Sequence, residues 1–167
     1  MKKCLSIIFA VLSLASGVHG SGKSSGVYIG LHAEGDEQDG PRMVRPNMID
    51  GKKHFFRVSP ELVTRHFDSF RAFVAEDGAT YGAALHLNDE GQRAMAVLCS
   101  TNQGRLARTI VNGRALDVIK IDRPGDDGYF IIWSGLGPDD LKLFSQKLKR
   151  LDGGLPGENG KKEKKSR

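Results

Sequence analysis

Cysteine is scarce in this chain: 167 residues hold two, Cys4 and Cys99. Two cysteines, one of them in a segment read below as removable, exclude a disulfide framework, and no cysteine pair is available to complete a zinc site. No apolar run approaches the ~20 residues that cross a bilayer as a helix. None of the histidines that follow the first twenty residues (His32, His54, His66, His86) forms a short H-x-x-x-H pair. Ser59, Ser100 and Ser134 lack a G-x-S-x-G context, so no nucleophile elbow is present. An excess of one charge also proves to be missing where it would matter. The formal charge is +5, from 25 basic and 20 acidic residues. Lys2, Lys3 and the five basic residues of Lys161–Arg167, set against Glu163, account for it. Without those seven basic residues and one acid, 18 basic residues face 19 acidic ones. The body of the chain is near neutral, so its basic pI makes no case for nucleic acid.

What is present suits one soluble α+β domain of usual size. Met1-Lys2-Lys3 and the 11-residue, mainly apolar run Leu5–Ala15 lead into small residues. This pattern reads as a secretory signal occupying residues 1–20, cleaved after Gly17 or Gly20. Cys4 precedes the apolar run and is no lipoprotein acceptor. The expected product is exported, to the periplasm or beyond, without stable membrane insertion. Ser21–Gly26 has linker composition, and Asp152–Arg167 is a Gly- and Lys-rich tail expected to be disordered and solubilising.

Between these ends lies one domain, residues 27–151. Val27–Glu34 and His54–Val58 alternate as strands, with Gly35–Pro41 as a surface loop. Ser59-Pro60-Glu61 reads as the start of a short helix reaching about Phe67. Phe70–Glu76 and Ala83–Leu87 are strands around a turn. Asn88 caps a helix from Asp89 to about Thr101, whose stripe is Ala94, Met95, Leu98 and Cys99. Arg105–Val111 and Arg114–Ile121 flank Asn112-Gly113, a dipeptide suited to the positive φ angles of a two-residue hairpin turn. Tyr129–Trp133 is apolar at every position and reads as an interior strand. Pro138-Asp139-Asp140 opens a last helix with Leu141, Phe144, Leu148 and Leu151 as its stripe. The pattern predicts a mainly antiparallel sheet with these two principal helices packed on one face. Its expected core contains Leu85, Leu87, Met95, Leu98, Ile110, Ile131, Trp133, Phe144 and Leu148.

Residues able to do chemistry do not assemble into a set. His32 and Glu34 share a strand face but make no metal site by themselves. Cys99 falls on the inner helix face, away from any base in the sequence, and reads as an inert thiol. Asp122, Asp126 and Asp127 lack calcium-loop spacing and read as an acidic hairpin loop. Gly135–Gly137 precedes a helix, but Pro138 removes an N–H and Asp139-Asp140 would repel a phosphate. No catalytic, metal-binding or cofactor-binding residue is assigned, and no cofactor is expected.

A resemblance emerges only from several segments read in order: Asn88-Asp89-Glu90-Gly91-Gln92-Arg93, Asn102-Gln103-Gly104-Arg105, Asn112-Gly113-Arg114-Ala115-Leu116 and Gly135-Leu136-Gly137-Pro138-Asp139-Asp140. Together they resemble the head subdomain of the first periplasmic region of SecD, the protein-export subunit, most strongly over residues 70–150. Cys99, Arg108, Ser134 and Val118-Ile119 depart from that pattern. The resemblance implies a detached head-like domain that is not an enzyme and that binds exported or unfolded polypeptide, or an envelope protein. It implies no proton-driven translocation. A small hydrolase or metal-dependent enzyme using His32, His86 or the Asp122–Asp127 loop is the alternative reading.

Overall fold

A computed structural model describes residues 26–122 and 127–152. The expected signal segment (residues 1–20), most of the expected linker, the loop residues 123–126 and the tail from residue 153 lie outside the described residues. The strands form two four-stranded sheets and a separate hairpin. The first sheet has the order β4-β1-β7-β8, with β1 at Ile29–Ala33, β4 at Leu62–Val63, β7 at Leu106–Val111 and β8 at Arg114–Lys120. The second is β10-β5-β6-β9, with β5 at Phe67–Val74, β6 at Tyr81–Leu87, β9 at Tyr129–Leu136 and β10 at Lys149–Arg150. The hairpin joins β2 (Val44–Ile49) to β3 (Lys52–Arg57). Helices α1 (Asp89–Thr101) and α2 (Pro138–Lys147) complete an α+β fold. Pairing is antiparallel throughout except between β10 and β5.

One apolar core draws on both sheets and both helices: Ile29 and Leu31, Phe70, Leu85 and Leu87, Leu98, Phe130 and Ile132, Leu141 and Phe144. Asn88 caps α1 by accepting the Gly91 N–H at 2.9 Å, which satisfies a donor that the helix itself cannot. The β7–β8 turn has Asn112 at φ 49° and Gly113 at φ 82°, a left-handed pair that matches strand twist.

Four local expectations change. The short helix after Pro60 does not form. Leu62 and Val63 pair with Leu31 and Gly30, a 3-10 turn covers Thr64–His66, and β5 starts at Phe67. A segment too short to carry a helix nucleus gains more by pairing with β1. The β2–β3 hairpin pairs the expected strand at His54–Val58, here Lys52–Arg57, with a strand at Val44–Ile49 where none was expected. Pro46 argues against a strand interior, but in a free two-stranded hairpin its missing N–H costs no ladder bond. The last helix ends at Lys147, and Leu148 becomes extended so that Lys149 and Arg150 can pair with Ser69 and Phe70. Leu148 stays buried, whereas Leu151 is exposed.

The fourth change is one of parity. Leu85, Leu87, Leu98, Phe144 and Leu148 are buried as expected, and Met95 packs against the core from its edge. On β9, however, Phe130 and Ile132 fill the core, Ile131 is half-buried and Trp133 is 58% exposed. On β7, Ala107, Thr109 and Val111 point inward and Ile110 is half-buried. Where both faces of a strand are apolar, alternation cannot fix which face goes in.

Candidate functional site

The histidines are held apart, each with its own partner. His32 on β1 is buried, donates from Nδ1 to the Arg57 carbonyl at 2.9 Å and meets the Tyr28 hydroxyl through Nε2 at 3.1 Å. Burial pushes its pKa below the ordinary histidine value and raises that of Tyr28. His54 Nδ1 donates to Glu34 at 2.7 Å. Burial opposes the Glu34 charge, but the bonds from His54 and the Leu106 N–H hold its pKa below the usual value. His66 accepts the Val63 N–H at Nδ1 and faces Glu90 through Nε2. His86 on β6 donates to Asp68 at 3.0 Å. Ser69 spends its hydroxyl on that same Asp68 oxygen at 2.7 Å, so no serine–histidine pair forms there.

The remaining chemical candidates are equally separate. Ser100 donates to the Val97 carbonyl. Cys99 is buried, and burial, with Asp122 nearby, raises its pKa away from the thiolate. Among the described residues, no group of three or more His, Cys, Asp or Glu is placed to hold a metal ion. Asp126 lies outside the described residues. Gly137 donates its N–H to Asp140 Oδ2 at 2.9 Å, so the turn before α2 is occupied by the protein's own carboxylate. Asp140 also receives Asn112 Nδ2 and the Arg114 guanidinium. Asn88, Asn112, Arg114, Gly137 and Asp140, all drawn from the segments that carry the resemblance, cap helices and tie a hairpin to a helix end.

One surface open to a partner lies along β9. That strand pairs with β6 on one side, and β8 pairs with β7 on one side. No ladder joins β8 to β9, so their facing edges are free of strand pairing. The two strands approach closely where Gly135 meets Leu116. Toward Ile121 and Tyr129 they bound a cleft of about 280 Å³, floored by Leu31, Leu98 and Phe130 and walled by Met95, Ile119 and Ile131. Lys120 and Asp122 are its charged lining residues. Main-chain edges beside an apolar floor are the elements of recognition by strand addition.

Of the segments that could offer an edge to an extended chain, Phe70–Glu76 is the interior strand β5, while Arg105–Ile121 spans the interior strand β7 and the edge strand β8; β8 and β9 are the long edges of the two four-stranded sheets. Of the arginines that could guard an edge, Arg57 pairs with Glu61 at 2.9 Å. Arg108 lies 4.9 Å from the Phe56 ring, and Arg71 lines a shallow depression with Ile131. The overlooked residues are Ile131 and Trp133. Their signal was the unbroken apolar run Tyr129–Trp133, read as interior when it belongs to an edge.

No protein-family model and no curated protein matches the chain. Among solved structures, SecDF in its super-membrane-facing form matches with a TM-score of 0.50 and 14% identity, over 74% of this chain and 19% of that one. A second SecDF structure, of a membrane component that enhances protein export, aligns with a TM-score of 0.49 and 15% identity, over 74% of this chain and 63% of that one. The chain thus spans about a fifth of the length of the first. At this identity the likeness is one of fold: the chain has a SecD/SecDF-like α+β domain. Among the described residues, no helix is long and apolar enough to cross a membrane.

Proposed function

We propose that this chain is an exported SecD-head-like module of the cell envelope that binds polypeptide in extended form and performs no chemistry on it. The observation that carries the reading is the pair of unpaired edges on β8 and β9 beside an apolar cleft. A main-chain edge accepts almost any sequence, and an apolar floor favours segments whose large side chains are not yet buried. Exported chains before folding have both properties. The SecDF-like fold supports this setting, since SecDF is a membrane component that enhances protein export. The separate partners of His32, His54, His66 and His86 support the non-enzymatic part.

Photocrosslinking in living cells tests the proposal, with probes at Ile119 and Lys120 on β8, both lining the cleft, and a control probe at Ser100 on the exposed side of α1. Many heterogeneous adducts at the first two positions and few at the control are expected. One discrete adduct would replace the reading with a dedicated envelope partner. No adduct at either position would overturn it.

A further inference from the structure

On the outward face of the β10-β5-β6-β9 sheet, strand β9 lacks what a solvent-facing antiparallel strand ordinarily has. Such faces alternate to polar residues, and strands apolar on both sides are normally covered on both sides. With Phe130 and Ile132 in the core, β9 turns Tyr129, Ile131 and Trp133 outward. The neighbouring β6 offers small residues there. A Cβ on Gly82 would lie 2.3 Å from the Phe73 ring, so Phe73 of β5 lies across the glycine toward Trp133, centroid to centroid 6.4 Å. The result is a shallow depression over Ala84, lined by Arg71, Tyr129 and Ile131, with the Phe73–Trp133 pair beside it. No described part of the chain covers it.

We propose that a second copy of this chain covers this face, the two sheets packing about a two-fold axis with Trp133 and Phe73 of each copy at the centre. Two observations select a second copy. The first is extent. Three strands of seven or eight residues, ~4.8 Å apart, with the two-residue β10 beside them, make a face roughly 15 Å by 25 Å. Two such faces, corrugated by side chains, bury on the order of 1,000 Å², the lower bound for specific association. The second is charge. The depressions of this face carry Arg71 and Lys149 together with Asp68 and Asp127. A two-fold contact sets a patch against itself, and only a patch holding both signs can then pair its charges. Aligned packing of two sheets through their inner side chains is a standard architecture.

Trp133 is the chain's single tryptophan, so the unmodified protein reports on this face directly. Between about 1 µM and about 100 µM, tryptophan emission should shift to the blue, acrylamide quenching should fall several-fold and sedimentation should give twice the monomer mass. Ile131→Arg should remain monomeric with red emission throughout, with an unchanged circular dichroism spectrum. A protein that stays monomeric at the highest concentration overturns the proposal. So does a dimer whose tryptophan emission does not change with concentration, because that dimer uses another surface. If Ile131→Arg fails to fold, Arg71→Glu replaces it, and undiminished dimerisation in that variant also counts against the two-fold face. Polypeptide crosslinking at Ile119 can fail or succeed independently of these results.

Discussion

Asp140 accepts a hydrogen bond from Asn112 Nδ2 at 2.9 Å although 28 residues separate them in the chain. The same carboxylate receives the Gly137 N–H that opens α2 and the Arg114 guanidinium. Asn112 in turn accepts the Tyr28 N–H through Oδ1 at 3.0 Å. One buried carboxylate therefore ties the start of α2, the β7–β8 turn and the entry to β1 together. Replacing it by alanine leaves the Gly137 N–H uncapped and removes the Arg114 partner. Asp140→Ala should cost about 1–3 kcal/mol in urea denaturation, with Asp140→Asn recovering part of the loss. Equal stability of all three proteins would show that the network is decorative.

Truncation separates the two faces of the second sheet. Leu148 is 5% exposed, and Leu148→Ala should cost ~2–5 kcal/mol, as buried leucine truncations do. Trp133 is 58% exposed, and Trp133→Ala should cost under about 1 kcal/mol in the monomer despite the larger side chain removed. Chemical denaturation of both variants at low protein concentration checks the contrast, and a reversed order would mean that β9 faces the other way.

Gly82 lies beneath the Phe73 ring and close to a main-chain oxygen: an added Cβ would stand 2.7 Å from the Ile132 carbonyl. That oxygen belongs to the ladder and cannot swing aside. Gly82→Ala should therefore destabilise the domain by roughly 1–3 kcal/mol, the usual range for overpacking. It should also displace Phe73 and alter Trp133 emission in the native state. A variant with native stability and emission would contradict this close packing.

Acid should weaken the domain in two steps of known sign. Burial lowers the pKa of His32 in the folded state. Its contribution is complete above the unfolded value near 6.5 and declines as pH falls below it, because the unfolded chain binds the proton more readily. Glu34 also has a lowered folded pKa, held there by His54 and the Leu106 N–H against its burial. Its contribution is present above about pH 4.5 and is lost as pH falls through the folded value. Stability measured from pH 8 to pH 3 should therefore slope downward from about pH 6.5 and more steeply below about pH 4.5. His32→Gln should flatten the first slope and Glu34→Gln the second. Parallel profiles for wild type and both variants would refute the assignment.

Much of the fold was legible where one signal had no competitor. Asn88 before two acids, Asn112-Gly113 between alternating runs and Pro138 before two acids each mark an element boundary by local chemistry alone. The misread places are those where distant pairing overrides a local signal. Ser59-Pro60-Glu61 has the chemistry of a helix start, yet Leu62 and Val63 are claimed by β1. Leu148 continues a helical stripe, yet the next two residues are claimed by β5. The cleft was harder to see. Its walls come from β8, β9 and α1, and nothing in Tyr129–Trp133 tells a strand with two neighbours from a strand with one.

The order of pairing also bears on when the domain can exist at all. Tyr28 meets Asn112 across 84 residues of chain, and β10 reaches back to Ser69 and Phe70. β1 thus remains without its β7 neighbour until Val111 is available, and the second sheet is incomplete until Arg150 is. A topology so rich in distant partners has high contact order and folds on the ms–s scale of β-rich domains, not in microseconds. A chain emerging N-terminus first through a pore would stay unfolded through most of its passage, and its final compaction would wait for the last two-residue strand.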